Sequence, residues 1–288
     1  MLNELVNIHP YDWSALPACG FFEVLGKRGT GKTSWTQHIL QFSPLKPTGA
    51  FVVIAGSETA KDSWSKIVPS LFVNDPDLAQ LERIKSIQNS HVRAAQKSGT
   101  PFPPECQLTL VFDDVSSNKK LMRSPILAYL ASNSRHLQMS IFILAQYHCQ
   151  IVAEVRNQFD LVFLLNTADR KSINRLHAEY CSPIDRRIFG HLLSHCTQNY
   201  GMLIIDNQTT SPDVESICFY ATQDPYPPIL ERLGPGTFWE FDDNHYCDEE
   251  TLRPDRETAD AWQVEQETHP NHRVTDRQGT LTIRKTAK

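Results

Sequence analysis

Phe21-Phe22-Glu23-Val24-Leu25-Gly26-Lys27-Arg28-Gly29-Thr30-Gly31-Lys32-Thr33-Ser34 passes from an apolar run through a glycine-rich turn into a helix-compatible segment. Gly26 to Thr33 fits the spacing G-x-x-x-x-G-K-[ST]. The glycines let the backbone curl so that successive N–H groups point at phosphate oxygens. The following helix adds the partial positive charge of its N-terminus. In this reading Gly26, Lys27, Arg28, Gly29, Thr30, Gly31, Lys32, Thr33 and Ser34 cradle a nucleotide. Lys32 reaches its outer phosphates and Thr33 ligates magnesium. ATP and Mg2+ are the expected ligands.

Working outward, further β-branched or aromatic runs predict buried strands at Ala50–Ala55, Leu108–Phe112, Ile141–Ala145, Leu161–Leu165 and Met202–Ile205. Helix-compatible stretches lie between them at Lys32–Gln41, Asp77–Lys97, Leu121–Ser134 and Arg170–Glu179. Alternation of this kind predicts an α/β fold, a mostly parallel sheet covered on both faces. The expected class is a three-layer P-loop NTPase sandwich of strand order 5-1-4-3-2. Ala50–Ala55 and Leu161–Leu165 would be its edges. Glu215–Tyr220 is expected to pair with Met202–Asp206 as a C-terminal antiparallel addition.

Leu108-Thr109-Leu110-Val111-Phe112-Asp113-Asp114 is an apolar strand ending in two carboxylates. Adjacent carboxylates repel and so favour a nearby cation. Asp113 is read as the second magnesium ligand and Asp114 as the general base for an attacking water. Ile141–Ala145 ends in Gln146, an amide able to orient that water. Arg135 and Arg156 each precede a strand. Either is a candidate finger reaching across a subunit boundary, where its fork would bind two phosphoryl oxygens.

This ordered set, Gly26–Thr33, Asp113-Asp114, Ser134-Arg135-His136, Ala145-Gln146 and Val155-Arg156-Asn157, resembles the DNA-packaging ATPases of large DNA viruses, the poxvirus-type members of the FtsK–HerA superfamily. The resemblance covers roughly Phe21 to Tyr220. It implies a homo-oligomeric ring that hydrolyses ATP and moves double-stranded DNA into a capsid, with a capsid or portal-like component as a further partner. It also implies a place in the host cytoplasm or a viral factory, with virion association. Cellular relatives place Glu where this chain has Asp114, and the viral branch commonly shows Asp-Asp.

A translocase needs groups that grip phosphates without reading sequence. Lys119, Lys120 and Arg123 follow directly on Asp114 and are the expected DNA contacts. Gly56–Trp64, with Lys61 and Trp64, is a second candidate. A kinase on the same core is the main alternative, which should show an arginine-rich lid. A GTP switch would need Asn-Lys-x-Asp, which Asn118-Lys119-Lys120-Leu121 lacks. A scaffold that only binds nucleotide is the blandest reading. His177, Cys181, His191 and His195 have helix-borne metal spacing, although such residues are more often ordinary side chains of a His-rich segment. Asp12 and Trp13 are read as packing residues near the nucleotide.

The 288 residues carry a formal charge of −5. From Pro235 to Lys288 there are 12 acidic and 7 basic residues, leaving 21 of each in Met1–Gly234. A neutral body offers no whole-surface attraction to nucleic acid, so any DNA contact must be local. Apolar periodicity fades after Gly234. The expected organisation is an ATPase domain over 1–234 and a flexible acidic tail over 235–288, whose Phe238, Trp239 and Phe241 dock on a neighbour. No run of eighteen apolar residues occurs, so no membrane span is expected. The first residues lack a basic-then-apolar pattern, which argues against secretion. Seven scattered cysteines without C-x-x-C fit a reducing compartment.

Overall fold

The computed structural model describes residues 7–41, 49–167, 169–223, 230–245, 271–276 and 279–284. It separates into two compact units, Met1–Asp243 and Asn244–Lys288.

The first unit runs β1 (His9–Pro10), β2 (Phe21–Leu25), α1 (Lys32–Gln41), β3 (Ala50–Ala55), α2 (Glu58–Ser65), β4 (Val73–Asn74), α3 (Leu78–Ser98) and β5 (Leu108–Asp113). It continues through α4 (Lys119–Met122), α5 (Pro125–Asn133), β6 (Met139–Ala145), α6 (Ala153–Arg156), β7 (Leu161–Leu164), α7 (Arg170–Tyr180) and α8 (Arg186–Cys196). Then follow β8 (Met202–Asp206), α9 (Val214–Ile217), β9 (Cys218–Ala221) and α10 (Gly236–His245). One nine-stranded sheet has the order β1-β9-β8-β7-β2-β6-β5-β3-β4. The run from β7 to β4 is parallel, while β8 pairs antiparallel with both β7 and β9, and β1 pairs parallel with β9. Numbered among themselves, the five central strands β7-β2-β6-β5-β3 read 5-1-4-3-2.

β2, β5, β6 and β7 are buried along their whole length, which explains why they are apolar runs rather than alternating patterns. Successive side chains feed opposite cores. Phe22 and Val24 pack with Trp35, Ile39, Leu40 and Trp64 of α1 and α2. Phe21 and Leu25 face the side covered by α3, α5, α7 and α8, with Leu81, Leu127, Leu176 and Phe189. The sheet therefore lies between two helical layers.

Four expectations are corrected. Ala50–Ala55 and Leu161–Leu165 are not edges, because β4 lies beyond β3 and the β8–β9–β1 group lies beyond β7. The expected helix Leu121–Ser134 is two helices. Pro125 has no N–H to continue the first one, and Ser124 Oγ accepts the N–H of Leu127 to start the second. The strand after β8 begins at Cys218 rather than Glu215, since Val214–Ile217 forms a helical turn first.

The fourth concerns the end of the ordered body. Order continues past Gly234 into α10. Trp239 is buried, its Nε1 donates to Leu233 O at 2.8 Å, and Arg232 covers its ring at 4.2 Å. Phe238 meets Phe72 edge to face at 5.0 Å, and Asp242 accepts the N–H of Leu71 at 3.3 Å. Phe238 and Trp239 thus pack on their own chain rather than on a neighbour, and Phe241 is 47% exposed. In the second unit Asn271–Asp276 (β10) and Gly279–Arg284 (β11) form an antiparallel pair. The rest of the expected tail lies outside the described residues. Among the described residues no helix is long and apolar enough to cross a membrane.

If α10 belongs to the body, Trp239→Ala should lower the urea unfolding free energy by about 3 kcal/mol. An unchanged denaturation midpoint would mean that the helix contributes nothing to the core.

Candidate nucleotide site

The turn after β2 takes its shape from two glycines in the left-handed region, Gly29 at φ 78° and Gly31 at φ 90°. Lys32 opens α1 and donates from Nζ to Gly26 O at 2.8 Å and Lys27 O at 3.1 Å. Its ammonium is thereby held against the loop it belongs to. Burial pulls the Lys32 pKa down, and the nearby carboxylates of Asp113 and Asp114 oppose that pull.

Two strands away, β5 delivers Asp113 to the same place. Thr33 Oγ1 donates to Asp113 Oδ2 at 2.8 Å. Trp64 Nε1, from α2, donates to the same oxygen at 2.9 Å. Asp113 is only 4% exposed. Burial pushes its carboxyl above the ordinary range, while the Trp64 and Thr33 hydrogen bonds and the Lys32 charge draw it back. Three helices and strands thus converge on one oxygen atom. Asp114 follows at φ 55°, a left-handed conformation that is uncommon outside glycine. Its neighbour is Gly56, where a Cβ would stand 2.2 Å from Asp114 O. Gly56 N donates to Asp113 O at 2.9 Å. Only a glycine after β3 lets the two strand ends approach this closely.

The cleft between these elements holds about 540 Å³. Lys32, Thr33, Asp113, Asp114 and Gln146 all line it, together with Ser57 and Ser63 of the α2 segment. Gln146 and Tyr147 donate their backbone N–H groups to Gln150 Oε1 at 3.2 and 3.0 Å, which fixes the turn after β6. The loop, the two carboxylates and the Gln146 amide therefore share one cleft.

The arginines are not. Neither Arg135 nor Arg156 lines this cleft. Arg135 pairs with Asp160, whose other oxygen accepts the N–H of Phe21 at 2.9 Å. That places it at the start of β2, the end of the strand opposite the loop, with its side chain 56% exposed. Arg156 is 17% exposed and held twice, by Glu179 at 3.0 Å and by Ile151 O at 2.6 Å. Lys119, Lys120 and Arg123 are exposed, while Val115, Leu121 and Met122 of the same stretch are buried. Of the second expected DNA segment, Trp64 is fully buried as the partner of Asp113, and Lys61 is tied to Glu58 and Asp75. That expectation is corrected: the segment serves the cleft. His177 meets Ile184 O at 2.6 Å, Cys181 is buried, and His191 and His195 are exposed. Among the described residues no three metal-ligating side chains cluster. Asp12 caps the short turn Trp13–Ala15, and the Trp13 ring lies 6.4 Å from that of Trp35.

Sequence reasoning missed a second polar centre. Glu23 is fully buried in the middle of β2. Its Oε2 accepts the Tyr180 hydroxyl at 2.8 Å, while Oε1 has no hydrogen-bond partner and lies 3.9 Å from His148 Nδ1. The other ring nitrogen of His148 is 3.5 Å from Glu179, the partner of Arg156. Burial, then the Glu23 charge, drives the Tyr180 phenol well above its usual pKa. The signal was visible as one carboxylate inside Phe-Phe-Glu-Val-Leu.

No protein-family model matches the chain. Three viral relatives do. The chain is 24% identical over 218 residues to "Uncharacterized protein 015R" of Frog virus 3, a match covering 76% of this chain and 66% of that protein. It is 25% identical over 186 residues to "Uncharacterized protein 075L" of Invertebrate iridescent virus 6, covering 64% and 69%. It is 23% identical over 203 residues to "Uncharacterized protein L437" of Acanthamoeba polyphaga mimivirus, covering 68% and 70%. The chain thus spans about two thirds of the length of these relatives. Among solved structures, the genome packaging NTPase B204 of Sulfolobus turreted icosahedral virus 2, in complex with ATP-gammaS, aligns at TM-score 0.49 and 15% identity. That alignment covers 75% of this chain and all of B204. The cytoplasmic domain of the type VII secretion ATPase EccC from Thermomonospora curvata aligns at 0.46 and 13%, covering 74% and 26%.

The Glu23 contact yields a stability test. Tyr180→Phe strips the buried carboxylate of its donor and should lower the unfolding free energy by about 2–3 kcal/mol. Glu23→Gln keeps a polar partner for Tyr180 and should cost less. Equal stability of Tyr180→Phe and the parent chain in urea would show that the hydroxyl does not support Glu23.

Proposed function

We propose that the chain is an ATP-hydrolysing translocase that packages double-stranded viral DNA into capsids. The observation that carries the reading is the Thr33–Asp113 contact of 2.8 Å, which joins the phosphate-loop hydroxyl to the strand-end carboxylate. The same pair tests the fit of a metal. A hydroxyl and a buried carboxylate are hard oxygen donors, and one or two such ligands beside substrate phosphates suit magnesium. When bound, magnesium would supply charge neutralisation for the phosphates. Thr33 and Asp113 are the residues that would hold it.

The remaining work falls to this chain's own groups. The amides of Gly26–Thr33 and the Lys32 ammonium bind the triphosphate. Asp114, whose backbone sits in the left-handed region against Gly56, accepts the proton of the attacking water. Gln146 orients that water. In a ring of identical subunits a neighbour's arginine offsets charge on the transferred phosphoryl group. Arg135 suits this better than Arg156, because its guanidinium is half exposed and Arg156 is committed to Glu179 and a carbonyl. Lys119, Lys120 and Arg123 grip the DNA backbone. They lie on the stretch that starts at Asp114, so a shift at the acid pair is passed to them directly. The resemblance to packaging ATPases, and relatives from large DNA viruses, favour a capsid as the destination.

ATP turnover by the purified chain, with and without linear duplex DNA, checks each part. Lys32→Ala should abolish nucleotide binding or turnover. Asp114→Asn should keep ATP affinity and lower turnover by about 100-fold or more. With Lys119, Lys120 and Arg123 all replaced by Ala, the ratio of turnover with DNA to that without should fall to about one, because the phosphate contacts are lost. Normal hydrolysis by Asp114→Asn would remove the base assignment, and undiminished DNA stimulation of the triple variant would remove the DNA contact.

A further inference from the structure

A second hollow of about 510 Å³ flanks the phosphate loop. Lys27–Thr30 form one wall, and Asn166 with Asn199–Gly201 form the other. It shares Arg28 and Gly29 with the cleft that contains Asp113. The loop is thus a saddle between two hollows. Phosphates lying on the saddle with their outer end toward Asp113 leave the nucleoside end on the far side. Both hollows fall within the roughly 300–1,000 Å³ typical of small-molecule sites.

The far wall is built with unusual care. Asn199 and Tyr200 sit consecutively in the left-handed region, at φ 49° and φ 60°. Non-glycine residues rarely do this, and a pair persists only where the surroundings hold it. Two contacts hold it here. Trp35 Nε1 donates to Tyr200 O at 2.7 Å, and Trp35 is fully buried on α1, two residues after Thr33. At Gly201 a Cβ would stand 2.2 Å from Cys196 O, so the turn from α8 into β8 is pinned on its other side. The result is an aromatic residue, 48% exposed, on a turn anchored to the helix that carries the phosphate loop, with Asn166 and Asn199 lining the same hollow.

We propose that this hollow takes the purine base of the nucleotide, with Tyr200 as the stacking platform and the Asn166 and Asn199 amides facing the base edge. The inference rests on the reading of Gly26–Thr33 as a triphosphate site. Aromatic rings bind bases by stacking with little regard to identity, and an amide offers the paired donor and acceptor that a purine edge requires. Pyrimidines present less stacking surface and should bind more weakly.

Equilibrium binding of ATP, CTP and inorganic tripolyphosphate, each with magnesium, tests this on the full chain. Tyr200→Ala should weaken ATP about tenfold through lost stacking, leave tripolyphosphate affinity unchanged and narrow the gap between ATP and CTP. Tyr200→Phe should bind ATP as the parent does. Lys32→Ala should weaken all three ligands. Unchanged ATP affinity in Tyr200→Ala would overturn the base site and leave the phosphate loop standing. Equal loss of ATP and tripolyphosphate in that variant would also overturn it, since Tyr200 would then act through the loop. If neither ATP nor tripolyphosphate binds the parent chain, the triphosphate reading falls and the base site falls with it.

Discussion

A carboxylate at 4% exposure has to be given donors, and Asp113 receives them from two different helices. This requirement organises the molecule around it. Thr33 reaches it because α1 starts directly after the loop that follows β2. Trp64 reaches it because α2 follows β3, the neighbour of β5. Both helices lie on one face of the sheet, and β6 is the single strand between β2 and β5. A different strand order would leave Asp113 buried without partners or the phosphate loop facing another edge. The cleft is thus a consequence of sheet topology plus one buried charge.

The other face carries its own buried charge. Glu23 occupies the strand that leads into the loop, and its contacts pass through Tyr180 and His148 to Glu179 and Arg156. His148 stands two residues after Gln146, so the turn that places the cleft's amide also sends a ring into this network. Removing one member of such a set leaves the others unpaired in a low-dielectric interior, which explains why Arg156 is fixed rather than free. Arg135 differs: it pairs with Asp160, which is itself buried, yet more than half of the Arg135 side chain meets solvent.

The parts of this arrangement that were legible in the sequence are those written in local pattern. Apolar runs marked every central strand, and the glycine spacing marked the loop. The end of Leu108–Asp113 marked the acid pair. What was hidden depended on tertiary contact. Trp64 read as a DNA-contact candidate beside Lys61, because nothing in Ser-Trp-Ser names its partner forty-nine residues away. Gly56 entered the sequence reading only as the start of Gly56–Trp64, because the approach of Asp114 O to within 2.2 Å of its absent Cβ is a tertiary contact. Arg186–Cys196 carries apolar residues at Phe189, Leu192, Leu193 and Cys196, a helical spacing outshone by its histidines. α10 was obscured by the acidic composition around it, since docking of Trp239 depends on Leu233 and Arg232 rather than on local periodicity.

Strain connects the two halves of the cleft. Asp114 departs from ordinary backbone geometry, and so do Asn199 and Tyr200 on the opposite side of the loop. Non-glycine residues in this region persist only when packing overdetermines them. For Asp114 the constraint is the Gly56 contact, and for Tyr200 it is the Trp35 indole. Trp35 and Thr33 belong to the first turn of the same helix. A displacement of α1 would therefore disturb the Asp113 contact and the Tyr200 turn together, while the buried Val115, Leu121 and Met122 tie the residues after Asp114 to the opposite core. The segment that begins at Asp114 therefore carries exposed Lys119, Lys120 and Arg123 on a buried apolar footing.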